Sequence, residues 1–277
     1  MRKIKIVADT SCDLFGIKGA ELACAPMKII TAQREFIDDE ALDVGDMVDF
    51  LYTYKGKSKS SCPNPNDWID AFGDADEVFC ITITSGLSGS YNSACAAKKL
   101  YEAGGDKKVF VIDSLSTGPE MALIIEKLEE CIQKDIPYQQ ICKLICEYQK
   151  KTGLLFMLKS LKNLANNGRV SPIVANIIGI AGICIVGKAS EVGTLETMHK
   201  CRGEKSSLET LAADLEKEGY ASGKVSIGHC KNEAAALQLK ELILKKHPSA
   251  EIEIHPLRGL CSFYAERGGV LVGFEKL

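Results

Sequence analysis

The chain has a single tryptophan in 277 residues and only four histidines, at 199, 229, 247 and 255, which form no cluster. No CxxC pair occurs, nor any Cys/His spacing of the zinc type, so no metal site is expected. The GxxxxGK[ST] signature of a nucleotide P-loop is also missing, and no cofactor is expected. No apolar run reaches the roughly 18 residues of a membrane span, which excludes stable membrane insertion by a single helix. Lys and Arg number 34 against 37 Asp and Glu, a net charge of −3, with no basic stripe interleaved with aromatics. That balance excludes nucleic acid as the expected partner. The N-terminal MRKIKIVADTS opens directly as a strand, without the longer apolar stretch and small-residue cleavage site of a signal peptide. A cytoplasmic protein is the expectation.

The composition is otherwise that of a globular protein, 46% hydrophobic and 26% charged. The length suits one large or two ordinary domains with a sizeable core. The 12 cysteines are scattered, mostly inside apolar runs such as VFCI and GICIV. In such runs cysteine acts as a small buried hydrophobe, a usage that a reducing compartment tolerates.

Strand and helix patterns alternate along the first half. Ile4–Asp9, Glu77–Thr84 and Lys108–Ser114 are near-continuously apolar, as buried parallel strands are. Helical spacing runs through Gly45–Tyr54, Asn66–Phe72, Ser90–Ala103, Pro119–Lys134 and Tyr138–Lys151. The expectation is an α/β protein whose N-terminal part is a mainly parallel sheet flanked by helices. Each strand ends in a hydroxyl-bearing turn, namely DTSCD, TSGLSGS or DSLSTG. Ligand crevices of open α/β sheets lie at the carboxyl ends of strands, so these turns should converge. The texture changes near residue 152, giving an expected N-terminal α/β domain over 1–152 and a C-terminal α/β domain over 153–277. In the second part, Gly153–Leu158, Lys224–His229, Glu251–His255 and Gly269–Phe274 suit strands, and Ser206–Glu218 and Glu233–Lys246 suit helices. VANIIGIAGICIVG (174–187), rich in Gly and Ala, suits a buried helix leading to a strand, or one wall of an apolar cavity.

Three readings of TSGLSGS stay open. Its glycines before a helix suit a phosphate cradle, although the P-loop lysine is missing. Its serines suit a nucleophile turn, although no GxSxG pattern and no nearby histidine base accompany them. Ser88 or Ser90 also suits simple N-capping of the helix that follows. The loop SKSSCPNPNDW (58–68) offers further hydroxyls stiffened by two prolines, with Asn66 as the expected cap of the next helix. Asp9 suits an anchor for loop amides, and in NNGR (166–169) Gly168 is expected at positive φ, displaying Arg169.

The order of these pieces carries a resemblance. DTSCDL, FIDDEAL, SSCPNPNDW, ITITSGLSGSYNSA, VIDSLSTG, LKNLANNGRVS, MHKCRG and a Gly-rich C-terminus resemble the DegV family end to end. That resemblance implies two α/β domains with a lipid-binding cleft between them, and a long-chain fatty acid as ligand. Some members of the family serve as the carrier subunit of a bacterial fatty-acid kinase, whose separate ATP-dependent subunit converts the carboxylate to an acyl phosphate. The resemblance places the carboxylate at Ser60 and Ser61 of the loop and at Ser85, Gly86 and Ser88 of the turn, with Ser60 standing where the family usually has Thr. Arg169 and Arg202 match recurrent arginines that face the site or the kinase partner. The family's C-terminal HTGPG corresponds here to YAERG, so Tyr264 stands where the family has His. A phenol donates one hydrogen bond but carries no positive charge at pH 7.

The physics agrees with this reading. Two serine turns with backbone amides can hold a carboxylate without a metal, and an apolar tunnel gains about 0.8 kcal/mol per buried CH₂. The expected function is a binding protein without catalytic residues, burying a fatty acid and presenting its carboxylate. The competing expectation is a serine-dependent hydrolase or phosphotransferase acting through TSGLSGS, and a redox or metal protein comes third.

Overall fold

The computed structural model describes residues 2–170 and 182–276. Strands β1 (Ile4–Asp9), β2 (Glu21–Ala25), β6 (Glu77–Thr82) and β7 (Lys108–Asp113) form a parallel sheet in the order β2-β1-β6-β7. A small antiparallel sheet, β4-β3-β5, is built from β3 (Met27–Thr31), β4 (Glu35–Asp38) and β5 (Ser58–Ser61). The second half supplies β8 (Thr152–Leu158), β9 (Ile183–Ala189), β10 (Leu195–Arg202), β11 (Lys224–His229), β12 (Glu251–Pro256) and β13 (Val270–Glu275). These pair as β10-β9-β8-β13-β11-β12, antiparallel except for β11 with β12.

Among the described residues the helices are α1 (Val44–Thr53), α2 (Pro65–Phe72), α3 (Ser90–Glu102), α4 (Pro119–Gln133), α5 (Tyr138–Gln149), α6 (Lys162–Asn166), α7 (Glu204–Lys217), α8 (Glu233–Lys246) and α9 (Gly259–Ala265). Helix α4 is buried all round over its first seven residues, Pro119 to Ile125, and again at Leu128 and Cys131. A helix of that kind belongs between layers. It packs on β13, β11 and β8 on one side and on β1 and β6 on the other, joining the two large sheets. Strand β8 is buried at every position. Leu155 and Met157 join a core with Leu208, Leu211 and Leu239 of α7 and α8, while Leu154, Phe156 and Leu158 turn the opposite way. The two-residue period of a strand produces that division.

Strands β1, β6 and β7 of the parallel sheet, the helices flanking it and the strands β8, β11, β12 and β13 lie where the sequence pattern places them, whereas β2, β3, β4 and β10 are not marked by it. Other elements depart from it. Ser58–Ser61, read as a loop, is strand β5, paired with Lys28–Thr31 of β3. Asn64, not Asn66, caps α2: its side chain accepts from Asn66 N at 2.8 Å and Asp67 N at 3.3 Å, and Asp67 accepts from Asn64 N at 2.7 Å. This is a capping box with Pro65 as the first helical residue. Of the glycine-rich stretch read as a cavity wall, residues 174–181 lie outside the described residues. Its Ile183–Gly187 portion is strand, as the reading's second half expects.

Two buried carboxylates link α9 to the N-terminal part of the chain. Asp13 follows β1 and Asp38 ends β4. Burial, above all, raises Asp13 from 3.8 to about 8; Asp38's charge adds to this, and the Arg258 backbone N–H opposes it. Burial also raises Asp38 to about 6, against hydrogen bonds from the Leu260 and Gly259 amides. The folded protein therefore holds protons that the unfolded chain releases near pH 4. The stability from these two groups is full below that pH and falls as pH rises through about 6 and about 8. Asp13→Asn, which cannot ionise, should be more stable than the parent at pH 9, by a margin that shrinks at pH 5. Urea unfolding at both pH values checks this, and an unaltered difference between them would refute it.

Candidate functional site

The carboxyl ends of β1 and β6 meet at Asp9, which is fully buried. It accepts from Ile83 N at 2.9 Å, Ser90 Oγ at 2.5 Å, Ser11 N at 3.3 Å and the Ser11 hydroxyl. Burial raises its pKa and these bonds oppose the rise. Asp9 is thus the anchor of loop amides expected from its position, and it ties the turn after β6 to the first residue of α3.

Within that turn, Ser85 N donates to Asp113 Oδ1 at 3.0 Å and Gly86 N to Thr84 Oγ1 at 3.1 Å. Ser88 Oγ accepts from Ser90 N at 3.2 Å, using a lone pair and not its proton. The N-cap position of α3 is Gly89, which has no side chain to cap with, so neither Ser88 nor Ser90 is its N-cap residue. The β9–β10 hairpin lies directly over the turn. A Cβ on Gly86 would stand 2.9 Å from Val192 O, and one on Gly193, at φ +72°, would stand 2.0 Å from Thr84 Oγ1. Gly86 therefore serves close backbone packing.

Beneath this cover lies a cavity of about 320 Å³, within the usual range for small-molecule sites. Leu154, Phe156 and Leu158 of β8 line it together with Leu271 of β13, Leu195 of β10 and Leu260 of α9. Those are the β8 side chains turned away from the α7/α8 core. At one place the wall becomes polar. Ser60 Oγ and Tyr264 Oη are 2.7 Å apart, and Arg169, Ser61 and Ser88 border the same space. Arg169 follows Gly168, which takes φ +69° as expected. Its Nε donates to Leu87 O at 3.0 Å and its Nη1 to Asn167 O. Asn167 Nδ2 in turn donates to Ser58 O at 3.2 Å, linking the arginine turn to the strand that carries Ser60. Burial raises the Tyr264 phenol above its ordinary value, opposed by the Ser60 bond and the Arg169 charge, so it stays neutral near pH 7.

Five of the sequence-expected residues thus border one cavity: Ser60, Ser61, Ser88, Arg169 and Tyr264. Ser85 and Gly86 are exposed on the far side of the turn, and Arg202 is exposed at the end of β10; these three do not line it. Nor do residues 182–187 of the glycine-rich stretch. Sequence reasoning missed Thr84, Ser116 and Thr117, although TSGLSGS and DSLSTG had marked their turns as converging. It also missed Cys62 and Cys261 on the wall. Burial raises both thiols, which keeps them protonated and poorly nucleophilic.

The donor set suits an anion. Ser60, Ser61, Ser88 and Tyr264 offer four hydroxyls and Arg169 a guanidinium, with an apolar space beyond. Among the described residues no histidine borders the cavity to act as a base for Ser88, and no group of three or more potential ligands forms a metal site. No helix among the described residues is long and apolar enough to cross a membrane.

A sequence model described as "uncharacterised protein, DegV family" matches residues 3–276. A DegV domain-containing protein of Streptococcus pneumoniae is 43% identical over 276 residues, covering 98% of each chain. The crystal structure of a DegV family protein from Eubacterium eligens, loaded with heptadecanoic acid, is 43% identical with a TM-score of 0.96, over 99% of this chain and 100% of that one. The Streptococcus pneumoniae fatty acid kinase (Fak) B3 protein, loaded with linoleic acid, is 42% identical with a TM-score of 0.96 over the same shares.

Proposed function

The chain belongs to the DegV family, and from that premise we propose that it is a fatty-acid carrier, holding a long acyl chain in the cavity and its carboxylate at Ser60, Ser88, Tyr264 and Arg169. One observation supports this most: the alternate residues Leu154, Phe156 and Leu158 lead from an apolar space to a hydroxyl-and-arginine wall. A fatty acid has that same division into tail and head. Each methylene removed from water contributes about 0.8 kcal/mol, so a long tail outweighs the association cost of several kcal/mol. The charged head then needs donors in a dry setting, where hydrogen bonds to a carboxylate are strong.

Arg202, exposed at the end of β10 and away from the cavity, suits contact with a separate kinase subunit that acts on the bound carboxylate in the cytoplasm. The fatty acid kinase B3 protein among the similar structures supports that arrangement. A hydrolase reading gains nothing from the geometry, because no histidine among the described residues borders the cavity as a base for Ser88 and the cavity thiols stay protonated. Mass spectrometry of the intact protein under native conditions, followed by solvent extraction, tests the carrier reading. Bound or exchangeable fatty acid at one equivalent is expected. Neither endogenous lipid nor uptake of added oleic acid would refute it.

A further inference from the structure

Helix α9 has no capping side chain of its own. Its first backbone N–H groups are satisfied from the other end of the chain. Asp13 Oδ1 accepts from Arg258 N at 2.7 Å, Asp38 Oδ1 from Gly259 N at 3.0 Å and Asp38 Oδ2 from Leu260 N at 2.8 Å. The two-pronged hold by Asp38 demands close approach, since a Cβ on Gly259 would stand 2.6 Å from Asp38 Cγ. The Arg258 side chain adds a bond from Nη2 to Asp39 O at 2.7 Å.

The same small sheet holds the helix at its other end. Asp38 closes β4 and Ser60 lies on β5, the two neighbours of β3. Ser60 meets Tyr264 one residue before α9 ends. Between these two fixed points α9 presents Leu260, Cys261, Tyr264 and Ala265 to the cavity. A helix this short has little stability apart from its tertiary anchors. Asp38 itself does not line the cavity, and its two hydrogen bonds to backbone amides reach the cavity through α9.

We infer that Asp38 is a positioning residue for the headgroup site: by fixing the first turn of α9 it sets the Tyr264 hydroxyl against Ser60, where a carboxylate would be received. This rests on the fatty-acid reading above. Residues sharing a network show coupled effects when mutated, whereas independent ones add. Asp38→Asn keeps the shape but can accept only through one atom, so it frees one of the two N–H groups and loosens the turn.

The test is a double-mutant cycle on the full, delipidated chain with oleic acid as the probe. Asp38→Asn should weaken oleic-acid binding about tenfold in the parent and less than about twofold when Tyr264 is already Phe. Gly259→Ala, which pushes the helix off an intact carboxylate, should repeat both results and serves if Asp38→Asn does not fold. Thermal melting alongside separates loss of fold from loss of position. Equal weakening in both backgrounds, or none in either, would overturn the positioning role. Failure of the parent to bind oleic acid would instead overturn the fatty-acid reading itself.

Discussion

Replacing Arg169 by alanine should weaken fatty-acid binding about a hundredfold, because a carboxylate taken out of water would lose the one cation that borders the cavity among the described residues. Removing one partner of a buried charge pair costs more than the pair contributes, since the remaining charge stays desolvated. Arg169 also holds its turn to Leu87 O and Asn167 O, so a charge-keeping control is needed. Arg169→Lys retains the positive charge but not the planar fork that reaches both carbonyls. It should fall between parent and alanine variant. Competition against a fluorescent fatty acid measures all three. Parent-like affinity in Arg169→Ala would mean that the headgroup lies elsewhere.

The tail side gives the second large effect. Ala189, at the end of β9, borders the cavity and is only half-buried, so a larger side chain there can enter the space without overpacking the core. Ala189→Trp should displace about four methylenes of a long chain. At about 0.8 kcal/mol each, that is on the order of a hundredfold in affinity for C18 acids. Decanoic acid, which needs less of the cavity, should bind the variant and the parent within about threefold, and the melting temperature should change little. A uniform loss across chain lengths would indicate damage to the headgroup wall. No loss at all would show that the tail does not run past Ala189.

What the sequence revealed and what it hid have physical reasons. Strands β1, β6 and β7 are legible because they lie in a sheet flanked by helices, which makes them near-continuously apolar. Strand β5 is not, because SKSS has no apolar residue and is a strand only through its pairing with β3. Its pairing sets the alternation that leaves Ser60 half-buried against Tyr264 and Ser61 exposed at the cavity's border. Helix α9 was hidden for a related reason. GLCSFYA is seven residues long, and its first turn is capped by carboxylates more than two hundred residues away, a relation that no local pattern contains. The serine turn was recognisable as part of the site, but the division of labour inside it was not. Ser88 lines the cavity while Ser85 and Gly86 do not, and Gly86 lies close to the Val192 and Gly193 carbonyls from the other half of the chain. Arg169 was nominated from its turn, and only the fold shows that it borders the same wall as Tyr264.

A crystal structure of the protein with oleic acid tests the central claim most directly. The carboxylate is expected within hydrogen-bond distance of Ser60 Oγ, Tyr264 Oη and the Arg169 guanidinium, with the chain lying over Leu154, Phe156 and Leu158. An acyl chain lying outside this cavity, or one entering it tail first with the carboxylate away from Ser60, would contradict the account.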